Sequence, residues 1–331
     1  MKKIISILLI MLLLLSAVGC TQTPAGDDIP AQSDNNEESE ENLNEYGLPV
    51  EVTPKPKKVT VTDSAGRKVT TSKNNGDIVS LCKEATSLLI SLEVEKRLTG
   101  VEHTACENEL FKLAFPEIDT VEKVTDQNGV LTDKIIGQKP GLVVLCENDI
   151  ELIKKFEDAN IVCAVVALDD IESIKSSIEL VGKLVNSNDK ALKLKSYYES
   201  ALSRLKVMTL THNPSTVAVY NDNSFIRSML SNINCNIDSS SQKIIASLDE
   251  GAPDNAITVP NGISRWDVPS TELILGIYWF AYKLYPGLFT NTELAQVALN
   301  FYADFYNIKL TEDQVGISVK PNQTLTDFDV E

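Results

Sequence analysis

Six cysteines and two histidines are the chain's whole supply of thiolate and imidazole metal ligands. Four of these residues lie just behind short apolar runs: Cys82 after residues 77–81, His103 and Cys106 after 97–101, and Cys146 after 141–145. Thiolate and imidazole gathered at one rim would suit zinc, copper or haem iron. Two plainer readings compete. Cys82 and Cys146 could close a disulfide in an oxidising compartment, and free Cys is a common small core residue. No compact CxxC pattern decides among coordination, disulfide and packing. Cys163, inside an apolar run, reads as core, and Cys235 leaves an odd count that a disulfide scheme cannot fully absorb. Ser, Cys and His are also the raw material of nucleophilic catalysis. The chain has no nucleophile elbow, metalloprotease helix or phosphate-binding glycine loop, so an enzyme is not expected.

The elements that must hold these residues alternate in period. Val59-Thr60-Val61-Thr62, Asp63-Ser64-Ala65-Gly66 and the run 67–71 read as a hairpin. After it, 77–81, 97–101, 141–145 and 161–168 are strands buried on both faces, with helical patterns such as 84–92 and 150–160 between them. Such alternation predicts a parallel α/β sheet covered by helices. Two long helices follow, one carrying Ile171, Ile174, Ile178 and Val181, the next running from the Asn188-Asp189 cap to about Met208. A smaller α/β section holds strand candidates at 216–220 and 256–259 and a helix around 225–233. The chain then reads as helical at 270–284 and 291–306, with a capping box at Thr311-Glu312-Asp313-Gln314.

Composition bounds the partners. Of 331 residues, 43% are apolar and 23% charged, the balance of a globular protein. With 30 basic against 47 acidic residues and a formal charge of −17, nucleic-acid binding has little to work with. Lys2, Lys3 and the apolar run 4–18 form an export signal too short to span a bilayer comfortably. Its end, Ala17-Val18-Gly19-Cys20, resembles a bacterial lipoprotein signal, in which Cys20 becomes the lipidated first residue; the alternative is an ordinary secretory signal. Residues 20–58 are acidic and poor in apolar side chains, a solvated tether stiffened by Pro49, Pro54 and Pro56. The expected divisions are therefore a signal at 1–19, a tether at 20–58, an N-terminal lobe at 59–188, a connecting helix at 189–208 and a C-terminal section at 209–331.

An ordered series of motifs carries a family resemblance. It comprises Val59-Thr60-Val61-Thr62-Asp63 with Gly66-Arg67, then Asp77-Ile78-Val79-Ser80-Leu81 and Ala85-Thr86, then Arg97-Leu98-Thr99-Gly100-Val101 and Gln138-Lys139-Pro140. Arg265-Trp266-Asp267-Val268-Pro269-Ser270, Tyr278-Trp279, Phe301-Tyr302 and Phe305-Tyr306 continue it. Over residues 59–315 this is similar to the substrate-binding lipoproteins of ABC importers for iron-siderophore, haem and cobalamin. The resemblance implies an α/β protein of two parallel-sheet lobes joined by one long helix, with a metal chelate held between them and no intrinsic cofactor. It also implies an ABC permease as partner and a lipid-anchored place on the extracytoplasmic face of the membrane. Only two strand candidates fall between residues 216 and 262, so the second lobe reads as shortened. A degenerate, non-transporting sensor or interaction protein on the same fold is the rival reading.

Strand carboxyl ends face the crevice in open parallel sheets. That rule selects Cys82, Lys83, Glu84, His103 and Cys146 on the first lobe. Tyr220 and Asn221 face them from the other lobe, with Arg265 and Trp266 nearby. Trp266 and Arg265 would either stack on and pair with a macrocycle or plug the junction with the terminal helices. The aromatic stripe from Tyr278 to Tyr306 reads as helix packing. By resemblance, Asp133 is the permease-docking acid of the first lobe, with a helix cap or first-turn acid as the equally natural alternative. Its second-lobe counterpart is reduced to neutral Gln242.

Overall fold

The computed structural model describes residues 57–247 and 251–311. The leader, Cys20 and all but the end of the acidic stretch lie outside those residues, as does the capping box beyond Thr311. None of the helices among the described residues is long and apolar enough to cross a membrane.

Alternating residues build the opening hairpin. Strands β1 (Lys58–Thr62) and β2 (Lys68–Ser72) pair antiparallel, with Val61 opposite Val69. Asp63 closes the turn: its buried carboxylate accepts from the Ala65 and Arg67 amides at 3.1 and 2.9 Å and from the Arg67 guanidinium at 2.8 and 3.0 Å. The Val165 amide donates to the same carboxylate at 3.2 Å, clipping the hairpin to the main sheet.

That sheet is built from β3 (Ile78–Ser80), α1 (Lys83–Ser91), β4 (Leu98–Val101), α2 (Glu109–Ala114), β5 (Glu122–Lys123), the small hairpin β6 (Thr125–Asp126) and β7 (Gly129–Val130), α3 (Thr132–Gln138), β8 (Leu142–Leu145), α4 (Ile150–Asp158) and β9 (Cys163–Val165). The strands run parallel in the order β5-β4-β3-β8-β9. Strands β3 and β8 are buried at every position, which is why their sequences show no alternation. Sequence periodicity predicts four strands here; the edge strand β5 and the β6–β7 hairpin are too short and polar to announce themselves. From β3 the order runs one way to β4 and the other way to β8, so a crevice must open between the carboxyl ends of β3 and β8.

Two packed helices lead out of this lobe. Helix α5 (Ile171–Leu184) starts at an Asp170–Ser173 capping box and turns into α6 (Asn188–Leu210), 23 residues long. Gly182 permits the turn: a Cβ there would lie 2.3 Å from the Ala191 Cβ. Beyond α6, β10 (Ser215–Val219), α7 (Ser224–Leu230), β11 (Cys235–Ile237) and β12 (Ile244–Ile245) form a parallel sheet of order β11-β10-β12. The strand expected at 256–259 is reduced to one bridge between Ile257 and Ile245. The two short strands at 235–237 and 244–245 were not expected, because neither carries an apolar run long enough to stand out.

Helix α8 (Leu273–Leu284) is apolar on nearly every face and accordingly buried. Helix α9 (Asn291–Tyr306) returns to the first lobe, where the Tyr306 and Ser87 hydroxyls bond at 2.6 Å. Tyr278, Trp279, Phe301, Tyr302, Phe305 and Tyr306 are all buried within one apolar cluster that runs through both sheets' helices. The junction between the lobes thus has an apolar core threaded by a polar network. Glu272, just before α8, is sealed inside it, accepting from the Ile263 amide at 2.9 Å, from the Ser264 amide and from the Tyr302 hydroxyl. Asn108 extends the network to α2 by donating to the carbonyls of Gly262 and Ile263 at 3.2 and 3.1 Å. Burial pushes the Glu272 carboxyl up to about 7 from its ordinary 4.5, against the pull of those three donors.

Candidate functional site at the switch between β3 and β8

Register alone brings two of the expected residues together. Ser80 lies opposite Val144 in the β3–β8 ladder, and the Leu81 amide continues it to the Val144 carbonyl at 3.0 Å. Two residues beyond that pair on each strand are Cys82 and Cys146, which form a disulfide with their Cα atoms 6.2 Å apart. Of the three readings open in the sequence, this pair therefore takes the disulfide. Cys82 is also the residue before α1, so the bridge ties the start of that helix to the neighbouring strand end.

Around the bridge lies a depression of about 520 Å³ lined by the ends of β3, β4 and β8, the start of α4 and the β6–β7 hairpin. Lys83 and Glu84 line it as expected, together with Glu102, Glu147 and Asp149. Two of the acids serve as caps: Glu102 accepts from the Thr104 amide at 2.9 Å, and Asp149 accepts from the Leu152 amide at 2.9 Å. Glu84 caps nothing. Burial, with Glu102 adding repulsion, raises its pKa above the usual carboxyl value. Lys83 is the one basic residue in the lining, and its Nζ sits 5.9 Å from the Phe111 ring centroid. The field inside the depression is negative and favours cationic or neutral occupants.

The rest of the expected soft-ligand cluster does not close. Cys106 is buried, its thiol directed to the Ile118 carbonyl at 3.5 Å, because the 103–107 turn folds it under α2. His103 engages Thr125 with its amide at 3.0 Å and its Nδ1 at 2.9 Å, and does not line the depression. The ligand atoms that do converge, all within 4.8 Å of one another, belong to Cys82, Cys146 and Glu84. Cys163 is buried core, as expected, and Cys235 is half-buried and free.

Among the described residues, none from the second lobe lines this depression. Tyr220 instead donates from its hydroxyl to the Gly251 carbonyl at 2.6 Å, and Asn221 is an exposed left-handed residue at φ 52°. Arg265 pairs with the buried Asp267 carboxylate at 2.9 Å and with Ser247. Trp266 is 0% exposed, with its indole N–H donating to Tyr302 at 3.2 Å. The stacking role considered for Trp266 is therefore corrected: the ring is core, held by α8 and α9. Glu102 and Asp149 escaped the sequence reading, although both follow strand ends as closely as Glu84 does.

Asp133 lies elsewhere, exposed in the first turn of α3 beside an open groove of about 840 Å³ that also includes Lys134, Lys155 and Asp158. It does not cap the helix: the position before α3 is Leu131, with no side-chain bond. Asp133 is a first-turn acid, which the helix dipole favours and which is one of the two plain readings of this position. Gln242 is exposed between β11 and β12.

Comparison with known proteins shows what these elements are similar to. Residues 78–234 match the periplasmic binding protein family. An uncharacterized ABC transporter substrate-binding lipoprotein of Bacillus subtilis, YvrC, is 30% identical over 156 residues, 45% of this chain and 46% of the relative. The match therefore spans about half the length of that relative. Among solved structures, a periplasmic solute binding protein from Veillonella parvula superimposes with a TM-score of 0.67 at 22% identity, covering 79% of this chain and 96% of its own. MolA of Haemophilus influenzae, bound to molybdate, gives 0.60 at 18% identity, covering 76% and 99%. Helicobacter pylori CeuE, in a complex with nickel and histidine, gives 0.60 at 12%, covering 77% and 98%. At these identities the superpositions speak for the fold. Residues 78–234 are thus similar to the periplasmic binding protein family, and the two-lobed α/β fold is the one these solved solute-binding proteins share.

Proposed function

We propose that the protein is an extracytoplasmic solute-binding protein, anchored to the cell membrane through lipidated Cys20, that delivers a metal chelate to an ABC importer. It binds its cargo and does not transform it. The observation that carries this reading is the acidic depression at the switch between β3 and β8, where an open α/β sheet presents its loops to a ligand. Among the expected cargoes, a cationic or neutral chelate such as a corrinoid suits the four lining acids better than haem with its carboxylates or an anionic ferric siderophore. The exposed first turn of α3, with Asp133, is the face offered to the permease.

The test is the absorption spectrum and native mass of material co-purifying with the oxidised protein, followed by titration with cobalamin, haem and ferric chelates. A one-to-one complex weakened by Glu84→Gln supports the reading. Absence of any chelate complex supports the rival role of a surface sensor or interaction protein, which the small second sheet favours. Turnover of a bound compound would support an enzyme.

A further inference from the structure

We propose that the Cys82–Cys146 disulfide is a reducible cover on a thiolate–carboxylate site, in which both sulfurs and Glu84 together hold a thiophilic divalent cation of the zinc or cadmium kind. Three observations converge. The two Sγ atoms and a Glu84 carboxylate oxygen lie within 4.8 Å of one another. In a tetrahedral zinc site the sulfurs stand about 3.8 Å apart and each sulfur about 3.6 Å from the oxygen, from metal bonds of about 2.3 and 2.1 Å. Opening the S–S bond by side-chain rotation therefore suffices, while the backbone stays at its Cα separation of 6.2 Å. The ladder between β3 and β8, not the disulfide, sets that separation, so the ligands remain aligned after reduction.

The electrostatics point the same way. Glu84 and Glu102 line the same depression, and a bound cation would relieve the repulsion between their carboxylates. Glu147 and Asp149 add negative charge at the same rim, opposed by Lys83 alone among the lining residues. The competing thiols are withdrawn. Burial raises the pKa of Cys106, pushes Cys163 up to about 12 and Cys235 up to about 11, so none is a thiolate at neutral pH. Both bridge cysteines are half-buried at the wall of an open depression, within reach of a reductant.

The chemistry balances with a dithiol as co-reactant. The dithiol transfers two electrons and two protons to the Cys82–Cys146 bond and becomes a disulfide itself, leaving two thiols on the protein. The cation then displaces both thiol protons and takes the Glu84 carboxylate as third ligand, with the fourth position open to the depression. In the oxidised protein the sulfurs are bonded to each other and the site does not exist. The inference rests on the cargo reading of this depression, deepens it, and is separable from it: chelate binding is tested on oxidised protein, cation binding on reduced protein.

The experiment reduces the purified protein with a phosphine, confirms by thiol counting that the bridge is open, and titrates it with zinc or cadmium chloride against a chromophoric chelator. Expected are one cation per chain bound by the reduced protein only, release of about two protons, and a cadmium–thiolate charge-transfer band. Cys82→Ser should abolish the band, and Glu84→Gln should weaken binding by at least the roughly 10–100-fold that losing an outer-shell partner costs. Cys235→Ser should change nothing. If Cys82→Ser fails to fold, X-ray absorption of the zinc-loaded reduced wild type decides, with two sulfur neighbours at about 2.3 Å expected. A shell of oxygen and nitrogen alone, stoichiometric binding by oxidised protein, no binding with the bridge demonstrably open, or loss of far-ultraviolet circular dichroism on reduction would each overturn the proposal.

Discussion

Replacing Glu272 with Gln should remove a specific pH dependence from the protein's stability. The carboxyl is fully enclosed at the lobe junction and titrates in the folded state at about 7, against an ordinary 4.5. Between those values the unfolded chain has released the proton while the folded chain still holds it. Stability therefore falls as pH rises from 4.5 to 7 and levels off above. At about 1.4 kcal/mol per pH unit, the fall from this group is about 3 kcal/mol. Glu179, pulled down to about 2 by hydrogen bonds from Lys183 and Lys195, acts below that window: its support is lost as pH falls through the acid range. In Glu272→Gln the amide cannot ionise, and its NH₂ replaces one of the two accepting oxygens and so faces one backbone amide donor, Ile263 or Ser264, costing about 1–3 kcal/mol that is independent of pH. Urea denaturation of both proteins at intervals from pH 4.5 to 8 reads this out as a difference curve. The wild type's advantage should be largest at pH 4.5 and shrink by about 3 kcal/mol by pH 7. A flat difference curve would refute the burial argument, because it would mean that Glu272 ionises in the folded protein as readily as in water.

Three further outcomes follow from the placement of single residues. Trp266→Ala should cost about 3–5 kcal/mol in thermal or urea unfolding, whereas the milder Trp266→Phe should leave chelate affinity unchanged; a selective loss of affinity would return the ring to the ligand. Asp133→Ala should keep the melting temperature, since the side chain caps nothing, and reduce stimulation of the cognate permease's ATPase; full stimulation would remove Asp133 from the docking face. Cys20→Ser should shift the protein from the membrane fraction to the soluble extracytoplasmic fraction, and retention without lipid would sink the anchor.

Much of the scaffold was legible along the chain because burial writes itself into composition. β3 and β8 are apolar throughout since both faces are covered, and α8 is apolar on nearly every side since it runs through the middle of the junction. Turn residues marked the opening hairpin, and apolar spacing at helical period marked α5 and the full range of α9. The second sheet was hard to read for the opposite reason. Its added strands are three and two residues long, below the length at which any period can be counted, while 256–259 looked like a strand but found only one pairing residue.

The sequence by itself determined the class of the molecule: an acidic chain with parallel α/β lobes and chemistry collected after apolar strands. It could not choose among ligand, disulfide and packing for its cysteines, because those outcomes differ by a few ångströms between residues 64 positions apart. Only the ladder register between β3 and β8 set Cys82 beside Cys146, and only the fold of the 103–107 turn carried Cys106 into the core. The same holds for Trp266, whose motif position fits a cleft as well as a core. Burial is a property of what surrounds a side chain in three dimensions, and here α8 and α9, which follow Trp266 in the chain, close over it.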